Sequence, residues 1–354
     1  MPPSSRNQPK PPSLTTRLLE IAQRPPLFLS QDRQPFVVCP STATAHPLFS
    51  LGFSDWLLQA SERHLGLLPT PQQIGRVVST LDAQARAACT IEQVHTRTAK
   101  IAPNHYQIDL GHPDHSTIEV TGKQWTTGQS HAARFHRIET SDPLPIPEPS
   151  VAKLHVYLEL LYGINTEDAD KLAHWLGQAV LPDQKPPILL LTGESSPEAA
   201  AQLRSFIDPA FHATMPLPAN PLDLAQQAIE NRVLAYCVND QLSVKKIRDF
   251  NTMQRGMSAR LRHASRKHNR LFTSLHRPII IASEVVQAVK ICNQQLTIEI
   301  KQYRPVAHAE ILGPILDVVV QIVGQPVVYP EPLTLIVPAL PPPQVDAPEY
   351  PNTS

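Results

Sequence analysis

Residues 186–194 read PPILLLTGE, an apolar run that ends at Thr192-Gly193. Two more apolar runs follow along the chain, VLAY at 233–236 and RPIII at 277–281. Amphipathic helical patterns separate the three runs. Fully apolar strands that alternate with helices are typical of a parallel sheet covered by helices on both faces. The sequence therefore predicts an α/β fold for this half of the chain.

Capping residues mark where the surrounding helices begin. Thr166 is predicted to cap one helix, and Asn220-Pro221 is predicted to open another, because proline is favoured at the first helical position. The longest apolar stretch, residues 311–323, contains Pro314 and Asp317 and is short for a membrane span. We interpret it as a core helix.

Upstream, Thr70-Pro71 begins a predicted amphipathic helix, and the alternating residues 106–110 and 117–120 predict a strand-turn-strand pair. The segment PLPIPEP at 143–149 is a stiff, extended connector. These signals divide the chain into five predicted parts: a disordered segment at 1–13, a smaller α+β domain at 14–142, a Pro-rich linker at 143–150, the α/β domain at 151–325 and a Pro-rich tail at 326–354.

The composition narrows the classes of function. The 354 residues include 31 Lys+Arg and 31 Asp+Glu, so the average field attracts neither nucleic acid nor an anionic membrane. The four cysteines are isolated and no signal segment is recognisable. A disulfide framework and a metal site are therefore not expected, and a cytoplasmic location is the expectation. With 12 Gly against 38 Pro, the chain is poor in the residue that builds most phosphate-binding loops.

Several segments together carry a family resemblance. They occur in the family's order and are PPILLLTGE (186–194), SFIDP (205–209), MPLPANPLDLAQQAIENRVLAY (215–236) and RPIIIAS (277–283), together with FSDWL (53–57), VHTRTA (94–99), YQIDLGHPDHSTIEVTGKQW (106–125), RFHRIETSDPLPIP (134–147) and AEILGPILDVV (309–319). The chain resembles the ATP-binding proteins of phages and integrative elements, which are helicase-like, primase-associated P-loop NTPases. The resemblance implies a P-loop NTPase-like fold of the AAA+/helicase type, preceded by a smaller domain.

The resemblance also indicates where the residues for ATP hydrolysis would lie, and this chain has different residues at those positions. An active phosphate loop reads G-x-x-x-x-G-K-[ST], whereas Thr192, Gly193 and Glu194 lead into SSPEAAAQ without a second glycine or a lysine. The position of the Mg²⁺-binding aspartate matches Cys237, and the position of the water-binding asparagine matches Ala282. We therefore expect a degenerate site with no catalytic residue. ATP and Mg²⁺ would be cofactors only if the degenerate loop still bound them.

Residues 245–270 concentrate positive charge, with a single acidic residue, Asp249. In the resembling family this stretch forms a helix and a hairpin that can face nucleic acid. The candidate contacts are Lys245, Lys246, Arg255, Arg260, Arg262, Arg266, Lys267 and Arg270. Three interpretations stay open: contact with a phosphate backbone, a patch between subunits, or a plain solvated surface.

These observations lead to three alternative hypotheses. The first is a non-hydrolysing protein of a mobile element that binds nucleic acid, or that joins a homo-oligomer or an active ATPase partner. The alternative is an active, DNA-stimulated ATPase of the helicase type in which a displaced residue, Arg204 or Lys245, contacts the phosphates. The third is a folded remnant without activity.

Overall fold

The structure is a computed structural model that describes residues 12–39, 44–88, 90–130, 132–138, 141–150, 152–210, 214–240, 242–262, 269–284 and 295–324. For residues 88, 259–262 and 269–274 it describes the backbone alone. The predicted tail at 326–354 and residues 1–11 of the predicted disordered segment lie outside these ranges. Ser13, at the end of that segment, caps the first helix by accepting a hydrogen bond from the Thr16 backbone N–H at 3.3 Å.

The N-terminal region begins with a mixed sheet flanked by three helices. Its elements are α1 (Leu14–Ala22), β1 (Leu27–Ser30), β2 (Pro35–Val38), β3 (Ala45–Pro47), α2 (Leu51–Leu65), α3 (Pro71–Ala88) and β4 (Ile91–Glu92), with strand order β3-β2-β1-β4. The predicted helix after Thr70 is confirmed as α3. Thr70 and Gln73 bond each other's backbone N–H through their side chains, at 3.4 and 2.8 Å, which is a capping box.

A second, antiparallel sheet follows. This part of the chain contains six strands: β5 (Val94–His95), β6 (Thr98–Ala102), β7 (His105–Asp109), β8 (Ser116–Thr121), β9 (Trp125–Gln129) and β10 (Arg134–Phe135). Strands β6, β7, β8 and β9 pair in chain order, while β5 pairs with β10. The predicted strand-turn-strand pair is confirmed as β7 and β8.

The α/β region contains the predicted parallel sheet. Its elements are α4 (Leu154–Tyr162), α5 (Thr166–Val180), β11 (Ile188–Thr192), α6 (Ser196–Ser205), α7 (Pro221–Glu230), β12 (Leu234–Cys237), α8 (Val244–Arg255), β13 (Met257–Arg262), β14 (Asn269–Leu275), β15 (Ile279–Ser283), β16 (Gln295–Glu299) and α9 (His308–Gly324). The strand order is β12-β15-β11-β16, and every pairing is parallel. The three apolar runs are therefore strands, as predicted.

Helices cover both faces of this sheet because its strands are apolar on both sides. Leu189 and Leu191 of β11 share a core with α5, α6 and α9, whereas Ile188 and Leu190 share one with α7 and α8. Asn220 caps α7 as predicted. For α5 the prediction was wrong by one residue: Asn165 is the cap, since its side chain accepts the Asp168 N–H at 2.8 Å.

The hydrophobic core continues across the predicted linker at 143–150. Ile108 and Ile118 of the antiparallel sheet belong to the same buried cluster as Leu176 and Leu189 of the α/β region. Residues 311–323 are confirmed as a core helix, the largely buried α9. Among the described residues, no helix is long and apolar enough to cross a membrane.

Candidate nucleotide site and basic surface

Three parallel strands end side by side at the edge where the resemblance places the nucleotide. Cys237 of β12 pairs with Ala282, and Thr192 of β11 pairs with Ser283. In parallel α/β sheets, ligands bind at the carboxyl ends of the strands. The structure thus brings Thr192, Gly193 and Cys237 to one edge of the sheet.

The connection after β11 is a short turn. Strand β11 ends at Thr192 and α6 begins at Ser196, so Gly193, Glu194 and Ser195 are the whole connection. The Ser196 N–H closes this turn by donating to the Gly193 carbonyl at 3.0 Å. A G-x-x-x-x-G-K-[ST] loop places about six residues before its lysine. Half that length leaves too little backbone to wrap around a phosphate.

Gly193 is required by its surroundings. Its φ of +102° lies in the region that favours glycine. A Cβ at this position would lie 2.4 Å from the carbonyl oxygen of Ile300. The Ile300 N–H, in turn, donates to the Thr192 carbonyl at 2.7 Å. The close approach of the chain after β16 therefore explains this glycine without any ligand.

Acidic side chains occupy the start of α6. Glu194 and Glu198 are exposed, and Glu198 lies in the first helical turn. Pro197 removes one backbone N–H from the same turn. A carboxylate near a helix N-terminus is stabilising, but the same charges repel a polyphosphate.

Cys237 and Ala282 occupy the two remaining chemical positions. Burial raises the pKa of the half-buried Cys237 thiol, and the nearby carboxylates of Glu198 and Glu284 raise it further, against a hydrogen bond with Thr214 that lowers it. The thiol is therefore protonated at neutral pH and unsuited to a hard cation. Ala282 is fully buried, and Ser283 is the residue of β15 that lies level with Thr192.

Arg204, which the active-ATPase alternative needs at the phosphates, lies elsewhere. It belongs to the last turn of α6, roughly 12 Å along the helix from Ser196 at about 1.5 Å per residue. Only 2% of it is exposed, and its Nη2 donates to the side chain of Asn231 at 2.7 Å. Burial lowers the pKa of Arg204, although the nearby Asp208 carboxylate counteracts this.

Helix α8 carries part of the basic stretch. Lys245 and Arg255 are exposed and Lys246 is partly exposed. Ser243 caps the helix by accepting the Lys246 N–H at 3.3 Å. The first turn contains no acidic residue, so the two lysines lie at the positive end of the helix dipole, where cations are unfavourable.

The rest of the basic stretch forms an antiparallel hairpin, as the resemblance implies. Strand β13 pairs with β14 in a register that sets Arg260 opposite Leu271, Leu261 opposite Arg270 and Arg262 opposite Asn269. For these arginines only the backbone positions are described. Arg266 and Lys267 lie outside the described residues.

Sequence reasoning missed a group of buried arginines. Arg97 and Arg232 are each 3% exposed, and their nearby carboxylate is Asp208. Arg97 Nε lies 3.6 Å from Asp208 Oδ1, while the Arg232 backbone N–H donates to Asp208 Oδ2 at 2.6 Å. The available signal was an arginine placed directly before the apolar run at 233–236, whose four residues are all buried.

Comparisons with known proteins establish no family. No family of protein sequences matches the chain, and no curated protein is similar to it. Two structures of the NrS-1 C-terminal region, both without ligand, align at 11% identity, covering 90% and 88% of this chain and 70% and 67% of theirs, with TM-scores of 0.42 and 0.40. A ligand-bound JCV helicase aligns at 16% identity over 42% of this chain and 50% of its own, with a TM-score of 0.22. Likeness at this level establishes neither fold nor function.

Proposed function

We propose that this chain is a P-loop NTPase-like protein of the helicase type, from a phage or other mobile element, that does not hydrolyse ATP and works by binding nucleic acid. The observation that carries the proposal is the three-residue turn at Gly193. The turn provides neither a lysine nor enough backbone N–H groups to hold the β- and γ-phosphates.

Electrostatics at the same edge support the loss of hydrolysis. Glu194 and Glu198 flank the turn, and Glu284 follows the neighbouring strand β15. A triphosphate placed there would meet carboxylates where an active enzyme presents a lysine and a metal ion. A protonated Cys237 thiol lies where the resemblance places the aspartate at the end of β12, and a thiol is a poor ligand for Mg²⁺.

Binding of nucleic acid is supported by the lysines of α8. Two cations in the first turn cost stability, on the order of 0.3–1 kcal/mol each. A surface with no partner has no reason to keep them at this end of the helix. Phosphate contacts would compensate for that cost and would release counterions, which makes binding sensitive to salt and indifferent to sequence.

The test measures ATP turnover and nucleic-acid binding on the same purified chain. Phosphate release from Mg-ATP at millimolar concentration is expected to stay at background. In fluorescence anisotropy, single- and double-stranded DNA and RNA are expected to bind at low salt. The Lys245→Glu/Lys246→Glu variant should lose about tenfold or more in affinity and reduce the salt slope by about 1.5–2.

A matched control distinguishes an effect of the α8 surface from an effect of the net charge of the protein. Arg24→Glu/Arg76→Glu makes the same change in net charge at two exposed residues of the N-terminal region, so its affinity should stay close to that of the unmodified chain. Steady ATP turnover would refute the loss of hydrolysis. Equal losses in both double variants would refute α8 as the binding surface, and binding only to a co-expressed ATPase would assign the partner role instead.

A further inference from the structure

A cavity of about 510 Å³ lies between the N-terminal region and α7, away from the turn at Gly193 and from α8. The turn between β1 and β2, the start of α2, strand β5 and the segment after β10 form one side of it. Helix α7 and the residues that connect β14 to β15 form the other side. Cavities of about 300–1,000 Å³ suit a single small molecule. A peptide segment in extended or helical conformation is therefore too large for this one.

One wall is aromatic. Phe36 and His136 meet edge to face, with ring centroids 5.7 Å apart. His136 Nδ1 donates to the Ala45 carbonyl at 3.2 Å, and His46 Nε2 lies 2.8 Å from the Thr44 hydroxyl. Burial, and then the charge of Arg137, lowers the pKa of His46, so it is neutral at pH 7. Aromatic rings held in this way suit a planar heteroaromatic ligand.

Arg277 gives another wall a positive charge. Its Nε and Nη1 donate to the carbonyls of Asn231 and His276, at 2.8 and 2.9 Å. Both partners are neutral, and within the described ranges no carboxylate lies within salt-bridge distance of Arg277. Arg137, the other arginine of the cavity, is instead paired with Asp109 at 2.7 Å. Arg277 is therefore the cation that an incoming anion could pair with.

Arg232 is a second buried cation close enough to act on Arg277, and the Asp208 carboxylate offsets part of their charge. Burial lowers the pKa of Arg277 to about 10, although the Asp208 carboxylate counteracts this. Burial together with the charge of Arg277 lowers the pKa of Arg232 to about 9, again against the charge of Asp208. His95, which lines the cavity, has its pKa lowered to about 4 by burial and then by Arg232. An anion beside Arg277 would replace the lost solvation of these cations.

The third feature is a pair of carboxylates at the rim. Asp32 accepts a hydrogen bond from the Ser30 hydroxyl, and Glu230 accepts one from the Gln226 amide. An ionised carboxylate can accept several hydrogen bonds at once, so both can also accept from hydroxyl or amino groups of a ligand.

We infer that this cavity binds a mononucleotide, with its base against Phe36 and His136, its phosphate at Arg277, and its sugar hydroxyls or amino group toward Asp32 and Glu230. The aromatic wall, the arginine and the pair of carboxylates match the base, the phosphate and the sugar of one nucleotide. The ligand is either a free nucleoside monophosphate or the phosphorylated end of a strand. The site shares no residue with the turn at Gly193 or with α8, so it can exist whether or not the proposed function holds.

Calorimetric titration of the full chain tests the inference with five probes. Adenosine and cytidine 5′-monophosphates should bind at least about tenfold more tightly than adenosine or inorganic phosphate, because either fragment loses one of the two main contacts. The fifth probe is a short oligothymidine, compared with and without a 5′-phosphate. Preference for the phosphorylated strand assigns the ligand as a strand end, whereas binding of the free monophosphates alone assigns a free nucleotide.

Two variants on α7 locate the site. Gln226→Trp places a bulky ring at the exposed rim of the cavity and should abolish binding. Leu222→Trp, also exposed on α7 but not lining the cavity, is the matched control and should bind like the unmodified chain. If both variants bind equally well, or if the unmodified chain binds none of the probes at about 5 mM, which corresponds to roughly −3 kcal/mol, the inference is wrong.

Charge variants test the phosphate contact in both directions. Glu230→Gln removes a negative charge from the rim and should tighten monophosphate binding severalfold, while adenosine binding stays the same or weakens. Arg277→Gln should weaken monophosphate binding about tenfold or more, and Arg277→Lys should restore part of it. A variant that merely unfolds cannot produce the gain expected for Glu230→Gln. Weaker monophosphate binding in Glu230→Gln, with adenosine binding unchanged, would overturn the assignment of Arg277.

Discussion

Helices α6 and α8 both begin after a strand of the same parallel sheet, yet their first turns carry opposite charges. The first turn of α6 contains Glu198, and Glu194 lies just before the helix, whereas the first turn of α8 contains Lys245 and Lys246. The N-terminus of a helix carries a partial positive charge. The acids of α6 thus stabilise their helix, and the lysines of α8 destabilise theirs.

The contrast indicates where function is retained. At α6 each feature has a structural explanation: the carboxylates suit the helix dipole, and Gly193 fits beneath the Ile300 carbonyl. At α8 the Ser243 cap is in place, but the charges oppose the helix. Residues that stabilise nothing in the fold are the ones for which a partner is the simpler explanation. The following predictions test this contrast.

The largest effect is expected for Gly193→Ala. The new Cβ would lie 2.4 Å from the Ile300 carbonyl oxygen, in a backbone conformation with φ of +102°. Either the turn or the chain after β16 would have to shift. We expect a loss of about 2–4 kcal/mol in the free energy of unfolding, measured by urea denaturation.

Gly75→Ala is the control for this substitution. Gly75 lies within α3, and a Cβ there meets no atom within 4 Å. Alanine is the better helix former, so this variant should gain about 0.5–1 kcal/mol. If Gly193→Ala unfolded at the same urea concentration as the unmodified chain, the glycine would have no structural explanation and a ligand role would return.

The second prediction concerns the charges at the two helix N-termini. Lys245→Glu/Lys246→Glu should raise the free energy of unfolding by about 0.5–1.5 kcal/mol, because both charges then agree with the helix dipole. Glu198→Lys makes the opposite change on α6 and should lower it by about 0.5–1 kcal/mol. Urea denaturation at low salt measures both.

Salt provides the control, since about 1 M salt screens charges within about 3 Å. Both shifts should shrink toward zero at that concentration. A loss of stability in the α8 double variant would mean that the lysines make stabilising contacts within the chain, and the contrast between the two helices would fail.

The sequence predicted the elements whose signals are local. Apolar runs identified β11, β12 and β15, and proline after a polar residue marked α3 and α7. The error at α5 is small and has a local cause, because Asn165 and Thr166 are adjacent residues that can both cap a helix. Local patterns do not distinguish between two such neighbours.

The site was only partly predictable, because its decisive contacts join distant segments. The resemblance placed Gly193 at the end of a strand, and β11 ends one residue before it. It did not reveal that Ile300, more than one hundred residues later, fixes that glycine. Similarly, Phe36, His136 and Arg277 come together in one cavity from three separate segments. No spacing in the sequence could bring them together.

The smallest effect is expected at Cys237, which reports the field at the edge of the sheet. Burial, Glu198 and Glu284 raise its pKa above the ordinary thiol value. Alkylation requires the thiolate, so the pH midpoint for reaction with iodoacetamide should lie above about 8.5, the value for a free thiol. Glu198→Lys replaces a nearby negative charge by a positive one and should lower that midpoint.

The other cysteines must not contribute to this measurement. Cys89 and Cys292 are replaced by serine in the test background, and burial raises the pKa of Cys39 to about 12, which keeps it unreactive. Glu62→Lys, at an exposed position of α2, is the control with the same change in net charge. If it moves the midpoint as much as Glu198→Lys does, Cys237 senses only the net charge. If Glu198→Lys alone lowers it, the edge of the sheet carries the local negative field that would repel a triphosphate.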